Sequence, residues 1–134
     1  MNIFGNDYDT PDRTYIRDFI HIEDLASGHI AALSKLLSID GNIYENYNLG
    51  TGEGYSVKEL IDTMSVVCGK KIKCINAPRR TGDIDIMYAL ADKAKSDLNW
   101  FSKKSIVDIC VDQYNYIGIQ SSTGKDTNKA PEDL

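Results

Sequence analysis

From Ser56 to Gly69 the chain carries a complete set of local signals for one amphipathic helix. Ser56 is an N-cap, Glu59 three residues on completes a capping box, and Gly69 stands where a helix closes in the left-handed conformation. Val57, Leu60, Ile61, Met64 and Val67 recur at helical spacing and give the helix one apolar face. A helix of this kind is stable only when another element covers that face, so the rest of the chain is read for what can cover it.

Three more helices are expected. The first runs from about Glu23 to Leu37, with Leu25, Ile30, Leu33, Leu36 and Leu37 near 3.6 spacing. Gly28 lies inside it, at about 1 kcal/mol against Ala, which marks a close approach of another element. A short helix covers Asp92 to Leu98 and ends near Asn99-Trp100. The last starts at Ser105, again with an acid three residues on, Asp108, and carries the stripe Ile106, Ile109, Cys110, Tyr114 and Ile117. Strands are expected at Ile16–Ile22, Ile43–Leu49 and Lys71–Ile75, and residues 1–15 read as a loop crowded with turn formers. The chain from Ser121 is rich in Ser, Thr, Asp and Lys and is expected to be disordered. Two or three strands with about four helices make an α/β piece. That is too little sheet for a complete doubly wound domain.

The chain has 134 residues, 42% hydrophobic and 26% charged, with a formal net charge of -5. The composition is that of a globular protein. Its acidity, with basic pairs only at Lys70-Lys71, Arg79-Arg80 and Lys103-Lys104, argues against a nucleic-acid partner, which needs a clustered positive field. No apolar run approaches membrane-spanning length and no signal peptide is evident, so no membrane partner and a cytoplasmic setting are expected. Cys68, Cys74 and Cys110 match no zinc spacing and read as buried thiols in a reducing compartment. A cysteine nucleophile served by His21 or His29 is the alternative.

Three stretches invite a chemical reading. Gly50, Gly52 and Gly54 give G-x-G-x-G between a strand and a helix, but Tyr55 stands where a dinucleotide loop needs its last glycine. No acid lies about 20 residues further on. The loop therefore reads as a flexible turn. The second stretch is Arg79-Arg80-Thr81-Gly82-Asp83. Arginine presents a planar fork to phosphate oxygens, and a carboxylate accepts from ribose hydroxyls, so this is either a nucleotide clamp or a solvated Arg–Asp pair. The third is Arg17, two steps from Phe19 and four from His21. In a strand Arg17 and His21 share a face while Asp18 and Ile20 take the other. Arg17 toward a phosphate, or in a surface ion pair, both remain open. No tyrosine has a lysine four residues on.

The segments Ile3-Phe4-Gly5-Asn6-Asp7-Tyr8, Ile16-Arg17-Asp18-Phe19-Ile20-His21, Tyr47-Asn48-Leu49-Gly50-Thr51-Gly52, Ala77 to Asp83 and Leu98-Asn99-Trp100 follow one another in an order that resembles the UDP-glucose 4-epimerase family. These are extended short-chain dehydrogenases. The resemblance covers the chain to about residue 118, and it implies the following. Residues 1–120 form the carboxy-terminal, substrate-binding lobe of a Rossmann-type fold. The NAD-binding domain and the catalytic Ser/Thr and Tyr-x-x-x-Lys lie in a part not represented here, through which family members are often homodimers. The whole enzyme interconverts UDP-galactose and UDP-glucose through a 4-keto intermediate, in galactose metabolism, and this piece alone is inactive. Asn2, Ile3 and Phe4 meet the uracil, Arg17 and Arg80 the diphosphate, and Asp83 the ribose. Thr81 and Gly82 share that loop, and Met87 lies beside the sugar, where its identity leaves the choice of N-acetylated sugars open. Arg13 and Tyr15 stand where the family pattern usually has glycine, and Phe19 where it usually has tyrosine. A stand-alone UDP-sugar-binding module and a piece of a related dehydratase or decarboxylase are the rival readings.

Overall fold

The computed structural model describes residues 1–122, and residues 123–134 lie outside it. The expected disordered tail falls mostly on those residues. Its first two, Ser121 and Ser122, continue the last helix instead.

Two small sheets and four helices make up the described chain. Strand β1 (Asn2–Phe4) is the first correction to the expected loop, and β2 is only Ile16–Arg17. Helix α1 (Ile22–Leu37) is followed by β3 (Tyr55–Ser56) and α2 (Val57–Cys68). Then come β4 (Ile75–Ala77), β5 (Ile86–Met87), α3 (Asp92–Leu98) and α4 (Ile106–Ser122). β1 pairs in parallel with β4, Phe4 opposite Ala77. β2 lies centrally in the other sheet, antiparallel to β3 and parallel to β5, so that Arg17 faces Tyr55 on one side and Met87 on the other.

Helices α2 and α4 begin on the caps expected. Ser56 and Glu59 form the reciprocal capping box, and Gly69 closes α2 with φ 63°. At α4, Ser105 and Asp108 exchange the same pair of bonds. The short α3 closes on Asn99, at φ 50°. Helix α1 starts on a cap absent from the sequence reading: Nδ1 of His21 accepts from the Glu23 N–H at 3.1 Å. His21 therefore lies four residues past the end of β2, as the N-cap of α1, and it shares no strand face with Arg17. Because Nδ1 accepts, Nε2 carries the proton and donates to Asp112 at 3.0 Å.

Gly28 is the close approach the sequence suggested. A Cβ there would come within 2.6 Å of a Leu49 methyl and 3.2 Å of the Trp100 ring. Trp100 also donates Nε1–H to Ser27 at 2.8 Å. Nearby, buried Asp24 accepts from the amides of Lys103 and Lys104, which ties α1 to the start of α4. The core is small: Val57 and Ile61 of α2, Ala94 of α3, Trp100, and Cys110 of α4, with Tyr8 buried under the first loop.

Residues 43–49 are not a strand. They have an alternating pattern but no sheet edge to pair with among the described residues. Side chains place them instead: Leu49 against Gly28, Asn48 to the Leu90 carbonyl at 3.3 Å, and Glu45 to Lys93. The strand expected over Lys71–Ile75 begins only at Ile75, where β1 becomes available as partner.

Candidate functional site

Strand β4 delivers the chain into a tight turn beside the end of β1. The Asp83 N–H donates to the Arg80 carbonyl at 3.3 Å, and Gly82 takes the left-handed conformation with φ 85°. This is the geometry in which a glycine at the third turn position is preferred. The turn holds Arg80 and Asp83 on one side, and Nε of Arg80 donates to Oδ2 of Asp83 at 3.0 Å. Arg17, from β2, brings Nη2 to 3.8 Å from the other oxygen of the same carboxylate. Two arginines distant in sequence thus converge on one acid.

The aromatic residues complete the cluster. The Arg80 guanidinium lies over the Phe4 ring, 4.9 Å from its centroid, and Arg17 lies over Tyr15 at 4.7 Å. Tyr8, only 2% exposed, donates its hydroxyl to Asp83 at 3.2 Å. Arginine stacks on aromatic faces while keeping its N–H edge free to donate, so such support orients the fork without consuming it.

Charge balance follows the geometry. Burial of the Asp83 carboxyl opposes its ionisation, but the hydrogen bond and charge of Arg80, with Tyr8 and Arg17, hold it below the ordinary carboxylate range. The Arg80 guanidinium is held even more firmly charged by that bond. Burial raises the Tyr8 phenol, and the bond to Asp83 raises it further, so it remains a donor.

Among the expected site residues, the structure brings together Phe4, Arg17, Arg80 and Asp83. Thr81 and Gly82 form the tip of the same turn. Met87, 54% exposed, is the register partner of Arg17. Asn2 and Ile3 lie further back on β1, opposite Ile75 and Asn76. Arg79 departs from the expected pair of phosphate forks. Its Nη2 reaches Asp85 at 2.5 Å and the Asp83 carbonyl at 2.9 Å, and its guanidinium stacks 4.0 Å from the Tyr8 centroid. It braces the turn. Tyr8, Tyr15 and Asp18 were given no role in the site from the sequence, where Tyr15 stood only as a departure from the family pattern and Asp18 only as facing away from Arg17. Tyr15 had a signal, its even spacing from Arg17.

The glycine loop is no dinucleotide cradle. Asp18 accepts from the Thr51 N–H, the Thr51 hydroxyl, the Gly52 N–H and the Ala89 N–H. The amides that would hold a pyrophosphate are already engaged, and the start of α2 is capped by its own side chains. These residues do not fit NAD. No group of three or more metal-ligating side chains is found among the described residues. A cysteine–histidine pairing is also absent: His21 engages Glu23 and Asp112, and His29 its own helix at the Leu25 carbonyl. A concavity of about 690 Å³ lies elsewhere, between Ile20–Glu23 and α4, and contains none of the clustered arginines. Volume marks that hollow, whereas convergent charge marks the arginine cluster, and an anionic ligand is read by charge.

No family model matches the chain. Individual proteins do. A UDP-glucose 4-epimerase of Oryza sativa subsp. japonica is 49% identical over 116 residues, 87% of this chain and 28% of that protein. One of Cyamopsis tetragonoloba is 50% identical over 117 residues, 87% of this chain and 33% of its own length. Its relatives are the UDP-glucose 4-epimerases. The chain spans about a third of the length of the epimerases it matches, and corresponds to their carboxy-terminal part. The crystal structure of the Bifidobacterium longum UDP-glucose 4-epimerase, in complex with NAD+ and UDP, superposes with a TM-score of 0.82 at 41% identity, over 92% of this chain and 35% of that one. The Stenotrophomonas maltophila epimerase, with bound NAD and formylated UDP-arabinopyranose, gives 0.85 at 37%, over 92% and 36%. The mixed α/β arrangement of short strands and four helices is thus that of the carboxy-terminal part of the epimerase fold.

Proposed function

We propose that this chain holds the uridine diphosphate handle of a UDP-hexose within a UDP-glucose 4-epimerase that interconverts UDP-galactose and UDP-glucose in galactose metabolism. The observation that supports this most is the convergence of Arg17 and Arg80 on Asp83 beside Phe4, in a chain whose relatives bear that name.

In this reading residues 1–120 are the substrate-binding part. Arg17 and Arg80 donate to the diphosphate oxygens, and Asp83 turns toward the ribose hydroxyls once phosphate replaces it between the guanidinium groups. Phe4, with Asn2 and Ile3 behind it, flanks the uracil. Thr81 and Gly82 shape the turn, and Met87, beside Arg17, faces the sugar. Contacts to the non-reacting handle supply binding energy while leaving the hexose free to turn. NAD and the proton-transferring groups belong to the remainder of an epimerase, and these residues alone are inactive. The three free thiols accord with a cytoplasmic setting, and dimerisation would use surfaces outside this piece.

Reconstitution tests the assignment. Co-expression with the amino-terminal two-thirds of an epimerase relative should restore conversion of UDP-galactose to UDP-glucose, dependent on Arg80. A complex that forms and stays inactive would contradict it.

A further inference from the structure

Tyr15 touches both arginines of the cluster. The Arg17 guanidinium carbon lies 4.7 Å from its ring centroid, and that of Arg80 lies 5.6 Å from the same centroid. Tyr8 meets the ring edge-on at 5.5 Å and 72°. Tyr8 is itself fixed by its bond to Asp83 and by the Arg79 stack.

The backbone gives Tyr15 little freedom to withdraw. Its carbonyl accepts from the Val57 N–H at the start of α2, at 3.2 Å, and the next residue, Ile16, pairs with strands on both sides. Two residues apart in an extended segment, Tyr15 and Arg17 project to one side. Nor does its conformation ask for glycine: among the described non-glycine residues only Arg13 and Asn99 have positive φ. What the side chain at 15 contributes is therefore its ring.

Two guanidinium groups drawn to one carboxylate repel each other. A shared aromatic face offsets part of that repulsion, while Arg17 keeps Nη1 on the Ile16 carbonyl and Arg80 keeps Nε on Asp83. We propose that Tyr15 is a positioning residue for diphosphate recognition, its ring holding Arg17 and Arg80 at the spacing at which both reach one pyrophosphate. This rests on the UDP-binding reading given above.

Titration of the 134-residue chain with UDP and with uridine, followed by NMR shifts, tests it. Tyr15→Leu should weaken UDP by about five- to thirtyfold, the combined worth of two partly exposed cation–π contacts. It should leave uridine unchanged, and Tyr15→Phe should bind both ligands like wild type. If the Leu variant loses its native far-UV circular dichroism, Tyr15→Met takes its place. Wild-type affinity for UDP in the variant without the ring, or an equal loss for both ligands, would overturn the inference and leave the UDP reading standing. A wild-type chain that bound no UDP would overturn that reading and the inference with it.

Discussion

Thr51 gives Asp18 both its backbone N–H, at 3.0 Å, and its hydroxyl, at 2.6 Å. With Gly52 and Ala89 donating to the same carboxylate, one acid joins the end of β2, the glycine loop and the segment before α3. Removing it leaves several part-buried donors without a partner. Asp18→Ala should destabilise the fold by about 3 kcal/mol, read as a fall in the urea midpoint. A loss within experimental error would show that water replaces the carboxylate without cost.

Arg13 holds φ at 66°, a conformation that costs an ordinary residue roughly 1–2 kcal/mol and glycine almost nothing. Part of that gain is offset by the greater freedom of glycine in the unfolded chain. Arg13→Gly should therefore stabilise by about 0.5–1 kcal/mol, seen as a higher melting temperature. An unchanged or lower value would mean the Arg13 side chain makes a compensating contact.

Asp12 gives the stability a defined acid limb. Burial opposes ionisation of its carboxyl, but hydrogen bonds from Ser56 and Thr14 outweigh this and hold it below 3.8. A lowered folded-state value means stability that is fully present above the unfolded value and is lost as pH falls through the folded one. The stability difference between wild type and Asp12→Asn should thus be flat from neutrality to about pH 5 and shrink below about pH 4. Urea midpoints measured across that range check it, and a difference independent of pH would contradict it.

Among the described residues helix α1 leaves an apolar stripe uncovered: Ile22, Ile30, Leu33 and Leu37 are all more than half exposed, Leu37 by 77%. Such a stripe binds hydrophobic dyes. The paired change Leu33→Gln and Leu37→Lys should lower dye fluorescence clearly while altering stability by less than about 0.5 kcal/mol per site. Loss of stability without a change in dye signal would mean the stripe is packed.

The helices were legible because their signals are local. Ser56 with Glu59, Ser105 with Asp108, and Gly69 name their own boundaries within a turn or two. The strands were not, because each is two or three residues long and exists only where a distant partner meets it: β1 needs β4, and residues 43–49 keep their alternation yet find no edge. The site divides the same way. Residue types at Arg17, Arg80 and Asp83 left phosphate binding and surface ion pairs both open, and the family resemblance favoured the diphosphate. The support beneath them, Tyr8 and Tyr15, depends on which loops the fold stacks together. Asp18 was seen to face away from Arg17, but the amides it gathers come from loops that no spacing connects to it.

The most direct measurement of the central claim is a UDP titration of the isotope-labelled chain beside its Arg80→Ala variant. The account predicts saturable shifts at Phe4, Arg17 and residues 80–83 in the wild type, and an affinity lower by roughly tenfold to a hundredfold in the variant, the range for losing a charge-assisted contact. Saturable binding with equal affinity in both chains, or shifts confined to the hollow beside His21, would contradict it.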